Sequence, residues 1–266
     1  MQTIQCKGIN QIKNEISFHG KNWSHAHNGY FSDTCIAHPF LQVLHKIIRT
    51  THPDVVADLG GGDGFILKEL LKTDDSTDIC FVDVDLSMKQ LGCIENTCIQ
   101  RLQSSLTDLS REHFPSNMNS LLVCMRSVLH YFGQGGLISV LSHIRSIMKP
   151  GEYFIHQTAC FSDEVQAACL NKLYQQMHTI KWYPTQQYLQ STLHKAGWHI
   201  EHLSSAHCIS LSSKDLIQRY QISEKEMDHI NTDLFERFGE IQDSYIQTEQ
   251  GFIACLPYTI FTCVAE

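Results

Sequence analysis

Between residues 55 and 157 the sequence alternates short apolar runs with amphipathic helical stretches, and few folds accept that alternation. The strand candidates are Val55–Leu59, Ile79–Val84, Cys98–Leu102, Leu121–Met125 and Tyr153–Gln157. Helical spacing is read at Phe65–Leu71, Leu86–Ile94 and Leu137–Met148, the last closed by Lys149, Pro150 and Gly151. Parallel strands need long crossovers, and helices placed between them cover both faces of the sheet. The pattern therefore predicts a doubly wound α/β fold, with ligands at the carboxyl ends of the strands.

The flanks depart from this alternation. Residues 1–50 contain "NWSHAHNGYFSD" and then a helix-like run from Ile36 to Ile48. Residues 160–250 read as mostly helical, with one helix opened by Pro184 and Thr185 and ended by Gly197 before another strand. Ser223 and Glu226 form a capping box, and behind it Met227, Ile230, Leu234, Phe235 and Phe238 share a helical face. "PYTIFTCVAE" reads as a terminal strand. Repeats and low-complexity linkers are absent from the sequence. The division expected is an N-terminal helical lid over 1–50 and a sheet domain over 51–266, with helical insertions at about 160–184 and 212–250.

Composition narrows the class. A chain of 266 residues, 42% hydrophobic and 18% charged, has the make-up of a globular protein with a substantial core. Its net charge of -8 argues against nucleic acid, which needs a basic surface to displace counterions. No window has the apolar length of a membrane span, and "QTIQCKGINQIKNEIS" lacks a signal peptide's apolar core. The eleven cysteines show no CxxC spacing, which points to reduced thiols in a cytoplasm and to no metal site.

The most informative stretch is "VVADLGGGDGFIL", a strand that runs into Gly60, Gly61, Gly62, Asp63 and Gly64 and then into a helix. Glycines let a ligand approach the backbone, and the helix amino end offers free N–H groups. A P-loop would need GxxxxGK[ST], but Phe65 and Ile66 follow Gly64. The dinucleotide pattern GxGxxG fits Gly60 and Gly62 and meets Phe65 at its third glycine, which disfavours NAD or FAD. What remains is Asp58 followed by GxGxG.

"DLGGGDG" resembles the first motif of class I methyltransferases that use S-adenosylmethionine (SAM). "ICFVDVDLS" supports the resemblance, since Asp85-Leu86-Ser87 is similar to the family's acid-apolar-Ser pattern at the second strand. Asp85 lies about 20 residues past the loop, the interval at which a carboxylate grips ribose hydroxyls. Asp83, two residues earlier on the same face, is the alternative. "LLVCMRSVLHYF" and "LSHIRSIMKPGEYFI" are similar to the family's fourth strand and to the helix and turn before the fifth, with Glu152 replacing a glycine. "HKAGWHIEHL" and the final strand resemble the sixth and seventh.

The resemblance implies a seven-stranded, mostly parallel sheet with the last strand antiparallel and helical lid or cap elements added. It implies SAM as cofactor, held by Asp58, Gly60, Gly61, Gly62, Asp85 and Leu86. Ser105, where many members carry an acid, and Leu106 fall on the adenine side, and Arg126 and Ser127 at the methionine end or as strand caps.

For the chemistry, in-line transfer from a sulfonium needs alignment, exclusion of water and, for a weakly acidic nucleophile, a base. His156, closing the fifth strand, and His130, after the fourth, are the candidates; His130 reads more readily as a packed, hydrogen-bonded ring. Trp23, His27 and Tyr30 form an aromatic candidate lid or a plain surface turn, and Tyr131 and Gln157 complete the substrate-side set. His25 and His27 make no metal site without a third ligand. The expected activity is methylation of a small-molecule acceptor on oxygen, nitrogen or carbon by a monomer or weak homodimer. A non-methylating SAM-binding isomerase or cyclase and a protein methyltransferase are the rival readings.

Overall fold

The computed structural model describes residues 29–73 and 78–266, so the expectations for Trp23, His25 and His27 lie outside the described residues. The chain runs α1 (Thr34–Thr51), β1 (Val55–Leu59), α2 (Phe65–Leu70), β2 (Cys80–Asp85), α3 (Met88–Leu91), β3 (Ile99–Gln103) and β4 (Leu121–Arg126). It continues through α4 (Gly133–Ser146), β5 (Tyr153–Ala159), α5 (Glu164–Gln176), α6 (Gln186–Lys195), β6 (Trp198–Ser212), α7 (Ser213–Tyr220), α8 (Glu224–Phe238), β7 (Tyr245–Thr248) and β8 (Gly251–Ala265). One sheet orders these strands β3-β2-β1-β4-β5-β8-β6, and β7 pairs with β8. The pairs from β3 to β5 are parallel, and β8 is antiparallel to β5, to β6 and to β7.

Every residue of β1 and of β4 is buried, as apolar runs between two helical layers must be. On one face α4 and α6 pack with Trp198, whose indole N–H donates to the Leu141 carbonyl at 3.1 Å. On the other face α1 buries Phe40, Leu44 and Ile48 against Val56, Ile66 and Ile155. Helix α1 is thus a layer of the sheet fold rather than part of a lid, and the boundary expected at residue 51 does not separate two bodies. A second apolar cluster lies beyond the sheet's carboxyl ends, where α5, α7 and α8 cover the distal parts of β6 and β8.

The structure differs from the sequence reading in three further places. The helix expected over Leu86–Ile94 shrinks to Met88–Leu91, because Ser87 caps it by accepting from the Gln90 N–H and the chain turns at Gly92. The sheet gains an eighth strand, β7, which pairs back through Thr248 and Gly251, so the insertion at 212–250 is not wholly helical. Glu152, the departure from the glycine turn, is buried and carries structure. Its carboxylate takes two bonds of 2.7 Å from the Arg111 guanidinium and accepts from the N–H groups of Leu121 and Lys149. A glycine there would take that acceptor from the Leu121 and Lys149 N–H groups and leave Arg111 only the Ile147 carbonyl. Among the described residues no helix is long and apolar enough to cross a membrane, no cluster of His, Cys, Asp and Glu could hold a metal, and the cysteines are free.

Candidate active site

The glycine loop joins β1 to α2 at the carboxyl edge of the sheet. Gly62 sits at φ +68°, where an L side chain is strained, and its N–H donates to Asp85 Oδ2 at 3.1 Å. Asp85 also accepts from the Ser87 N–H at 2.7 Å, so the end of β2 braces the loop while its carboxylate remains partly open. Gly61 is needed for a different reason. A Cβ there would meet Asp83 Oδ2 at 2.4 Å and Asp58 Cγ at 2.9 Å. Strands β1 and β2 set Asp58 beside Asp83, and the two carboxyls press together under the loop with 1% and 0% of their surface exposed.

Neither Asp83 oxygen has a hydrogen-bond partner among the described residues, and neither does Asp58 Oδ1. Burial pushes both carboxyls above the usual carboxylate range. For Asp83 the neighbouring charges of Asp58, Asp85 and Asp63 add to the rise. For Asp58 the Cys124 thiol and the Arg126 guanidinium oppose it. Two carboxylates this close do not both ionise, so the pair keeps a proton near neutrality. An open-backed glycine loop over orphaned carboxyls, with a hydrogen-bonded acid at its rim, fits a cation that carries ribose hydroxyls. Next to it Leu86 leaves half its surface exposed, an apolar wall at the rim. Ser105 bonds Thr107 Oγ1 at 2.8 Å, whereas Leu106 is packed into the core and offers little surface.

A cavity opens after the end of β4, where the chain passes on through Val128, which packs against Gly60. Ser127 leaves the strand at φ +63° and its hydroxyl lies 2.5 Å from Tyr258 Oη. The next turn, Leu129–Phe132, carries His130 and Tyr131 into the wall. His130 stacks on Tyr183 at 5.2 Å between ring centres and lies 4.2 Å from the Tyr131 ring. The lining also takes in Tyr174, Lys181, Tyr183 and Arg219, with Leu256 and Tyr258. Lys181 and Tyr183 belong to the "KWYPT" segment, whose interleaved cation and aromatics were visible in the sequence without any sign of what they face. Tyr174, Arg219 and Tyr258 sit on apolar-patterned elements and gave no signal.

Four expected site residues do other work. His156 is 0% exposed, its ring stacked 4.7 Å from Phe261 and 4.8 Å from Phe154, with Nδ1 2.7 Å from Thr158 Oγ1. Burial lowers its pKa to about 3. It is a core histidine with no route to an acceptor, because its side chain points to the α4/α6 face and not to the strand ends. Gln157 is also fully buried and donates to Tyr30 Oη at 3.2 Å. Tyr30 commits that hydroxyl to the His207 carbonyl as well. Arg126 donates to the carbonyls of Phe31 at 3.2 Å and Tyr30 at 3.3 Å, which clamps the turn before α1 onto the end of β4. Gln157, Tyr30 and Arg126 thus form a fastening behind the cavity.

Comparison with known proteins agrees with this architecture. No curated protein sequence matches the chain. Solved structures that superpose on it include a Bacillus halodurans protein assigned as a methyltransferase, at 13% identity and TM-score 0.63, covering 85% of this chain and 97% of the other. The YcgJ protein of Bacillus subtilis follows at 13% identity and TM-score 0.62, covering 86% and 99%. A Haemonchus contortus phosphoethanolamine N-methyltransferase, solved in complex with S-adenosylhomocysteine, superposes at 12% identity and TM-score 0.53 over 93% of this chain and 59% of that one. At such identities the likeness is one of fold. The sequence family described as "Methyltransferase domain" matches residues 37–203, more than half of the chain. Because that match runs from inside α1 into β6, over every strand that frames the glycine loop, the chain belongs to this family: it is a class I methyltransferase, and SAM is its cofactor.

Proposed function

We propose that the enzyme methylates a small molecule seated in the cavity between the end of β4 and the helices α5 and α7. The observation that carries this reading is the convergence of side chains from separate parts of the chain on one cavity. It is lined by side chains from the turn after β4, from α5, the α5–α6 link, β6, α7 and β8, a convergence that suits a compact acceptor. When bound, SAM supplies a methyl group activated by its sulfonium.

On this reading the chain's own residues divide the work. Asp85 addresses the ribose, and the carboxyl pair Asp58 and Asp83 sets a negative field beneath the loop without touching the ligand. Ser105 and Leu86 flank the adenine, and Ser127 lies where the cofactor and the acceptor meet. His130 would take the proton of the acceptor's heteroatom as that atom receives the methyl group, and Tyr131 would bound the acceptor. Removing water from the site strengthens each of these interactions.

The test is transfer of labelled methyl from SAM to a panel of phenols, amines and acids. His130→Gln is expected to lower kcat by about 100-fold while leaving the SAM dissociation constant unchanged. Turnover unaffected by that change would remove His130 as the base. Intact SAM after turnover would replace methyl transfer with a non-methylating reaction.

A further inference from the structure

Three carboxyl groups converge under the glycine loop, and they are not equivalent. Asp85, at the rim, accepts from the N–H groups of Gly62 and Ser87. Asp83, fully buried, has no hydrogen-bond partner on either oxygen among the described residues, and Asp58 has none on Oδ1. A Cβ at Gly61 would stand 2.8 Å from the Asp83 carboxyl carbon and 2.9 Å from that of Asp58, so both carboxyls crowd one point of the loop backbone. The nearby cations are committed elsewhere or stand off. The Arg126 guanidinium, from β4, directs both terminal nitrogens to the carbonyls of Phe31 and Tyr30. Arg101, the register partner of Asp83 on β3, is exposed, and Lys68 of α2 acts on Asp83 without hydrogen-bonding it. Asp63 of the loop and the Cys124 thiol of β4 also face the pair, while α1 meets this side of the sheet with apolar side chains.

We infer that the Asp58–Asp83 pair tells SAM from S-adenosylhomocysteine by charge: it releases its shared proton to solvent when SAM binds and recovers one when the product's neutral sulfur replaces the sulfonium. The inference concerns the cofactor side of the site and holds whatever the acceptor is. The proton stays on the empty pair because burial, and then the facing carboxyl, oppose a second negative charge. A cation brought into a poorly screened site stabilises that second charge and lowers the pH at which the proton leaves. Two pH values then bound a window: the lower is where the pair ionises with SAM bound, the higher where it ionises empty. Inside the window SAM binding releases a proton and SAM affinity rises with pH; outside it this contribution is flat. S-adenosylhomocysteine has the same adenine, ribose and amino-acid groups but no sulfonium, so it moves the pair less. Preference for cofactor over product therefore grows with pH across the window. Asp85 cannot produce that difference through the ribose, which both ligands present alike.

The experiment titrates the full chain calorimetrically with SAM and with S-adenosylhomocysteine, each in phosphate and in Tris. These buffers differ in ionisation enthalpy, so the difference in heat counts the protons exchanged. At about pH 7.5 SAM is expected to release at least about 0.3 proton more than S-adenosylhomocysteine. The ratio of the two affinities should rise at least about threefold in favour of SAM from about pH 6.5 to about pH 8.5. Taking the difference between ligands cancels the α-amino group that both carry. Asp83→Asn keeps the shape of the side chain and sets an amide donor beside Asp58, so no proton is left to expel. In that variant the excess release should fall below about 0.1 proton and the affinity ratio should lose its slope with pH. Equal proton counts for the two ligands, uptake in place of release, or an excess that survives Asp83→Asn would each overturn the inference. The comparison of ligands on the wild-type chain decides the matter even if the asparagine variant fails to fold.

Discussion

His156 and His130 show how little a residue's position in the sequence says about its role. Both lie near the ends of adjacent parallel strands, and both were legible as candidate bases. Side-chain direction alternates along a strand, so His156 shares a face with Phe154 and Thr158 and turns into the core, away from the cleft. His130 follows a strand end, and the turn at Leu129–Phe132 delivers it to the cavity. No periodicity in the sequence marks that difference, because it depends on one residue of register. The burial of His156 has a measurable consequence. Below about pH 6.5 the unfolded chain takes up a proton that the native ring refuses until about pH 3. Stability contributed by the neutral ring is therefore present above that window and is lost as pH falls through it, at about 1.4 kcal/mol per pH unit. His156→Phe sacrifices the bond to Thr158, costing about 1 kcal/mol near pH 7. It should nevertheless flatten the acid limb, so that the variant gains roughly 2 kcal/mol on wild type by about pH 4.5. Urea midpoints at the two pH values report this directly, and parallel pH profiles for the two proteins would refute it.

Among the elements, the strands that alternate with helices were legible, while β7 and the outer half of β6 were not. Strands β1, β2, β4 and β5 are buried on both faces and read as apolar runs; β1 begins and ends where expected, at Val55 and Leu59. Strand β6 is fifteen residues long, yet its outer half is largely exposed and rich in Ser and His, so only its start stood out. The same limit hid β7. The glycine loop, by contrast, was legible as a ligand device but not in its mechanics. Gly61 owes its identity to two carboxyls beneath it, one of which, Asp83, was the less favoured ribose candidate. If that account is right, Gly61→Ala destabilises the fold by about 1–3 kcal/mol through overpacking. Asp83→Ala should relieve most of the penalty, leaving a coupling of at least about 1 kcal/mol in the double-mutant cycle. Asp83→Ala alone should also raise stability above the ordinary carboxylate range, where the native pair holds a proton that the unfolded chain has already released. Additive effects in denaturant titrations would mean that the loop has room the geometry denies it.

At the scale of the whole molecule the question is whether the cap is a separate body. The sequence suggested helical insertions on a sheet domain, and its polar, discontinuous segments gave no indication of how they assemble. The cavity shows why: its walls come from residues 127–131, 181–183, 219 and 256–258, brought together by tertiary packing alone. Strands β6 and β8 then tie the cap to the sheet. Phe261, Cys263 and Ala265 of β8 pack in the first core, and Phe252, Ala254, Leu256 and Tyr258 of the same strand pack in the cap. A cap sharing two continuous strands with the sheet cannot lose its core without releasing the ladder that binds β8 to β5. Unfolding is therefore expected to be a single transition. Leu234, fully buried on α8 and remote from the glycine loop, is the place to probe it. Leu234→Ala should cost about 2–5 kcal/mol and lower the melting temperature of the entire chain by roughly 5–15 °C. In a chain carrying Trp23→Phe and Trp182→Phe, far-ultraviolet dichroism and the fluorescence of Trp198, which sits in the other core, should shift together. An early dichroic step with the Trp198 signal unmoved would mean that the cap opens on its own, and that the acceptor enters by local unfolding rather than through a preformed mouth.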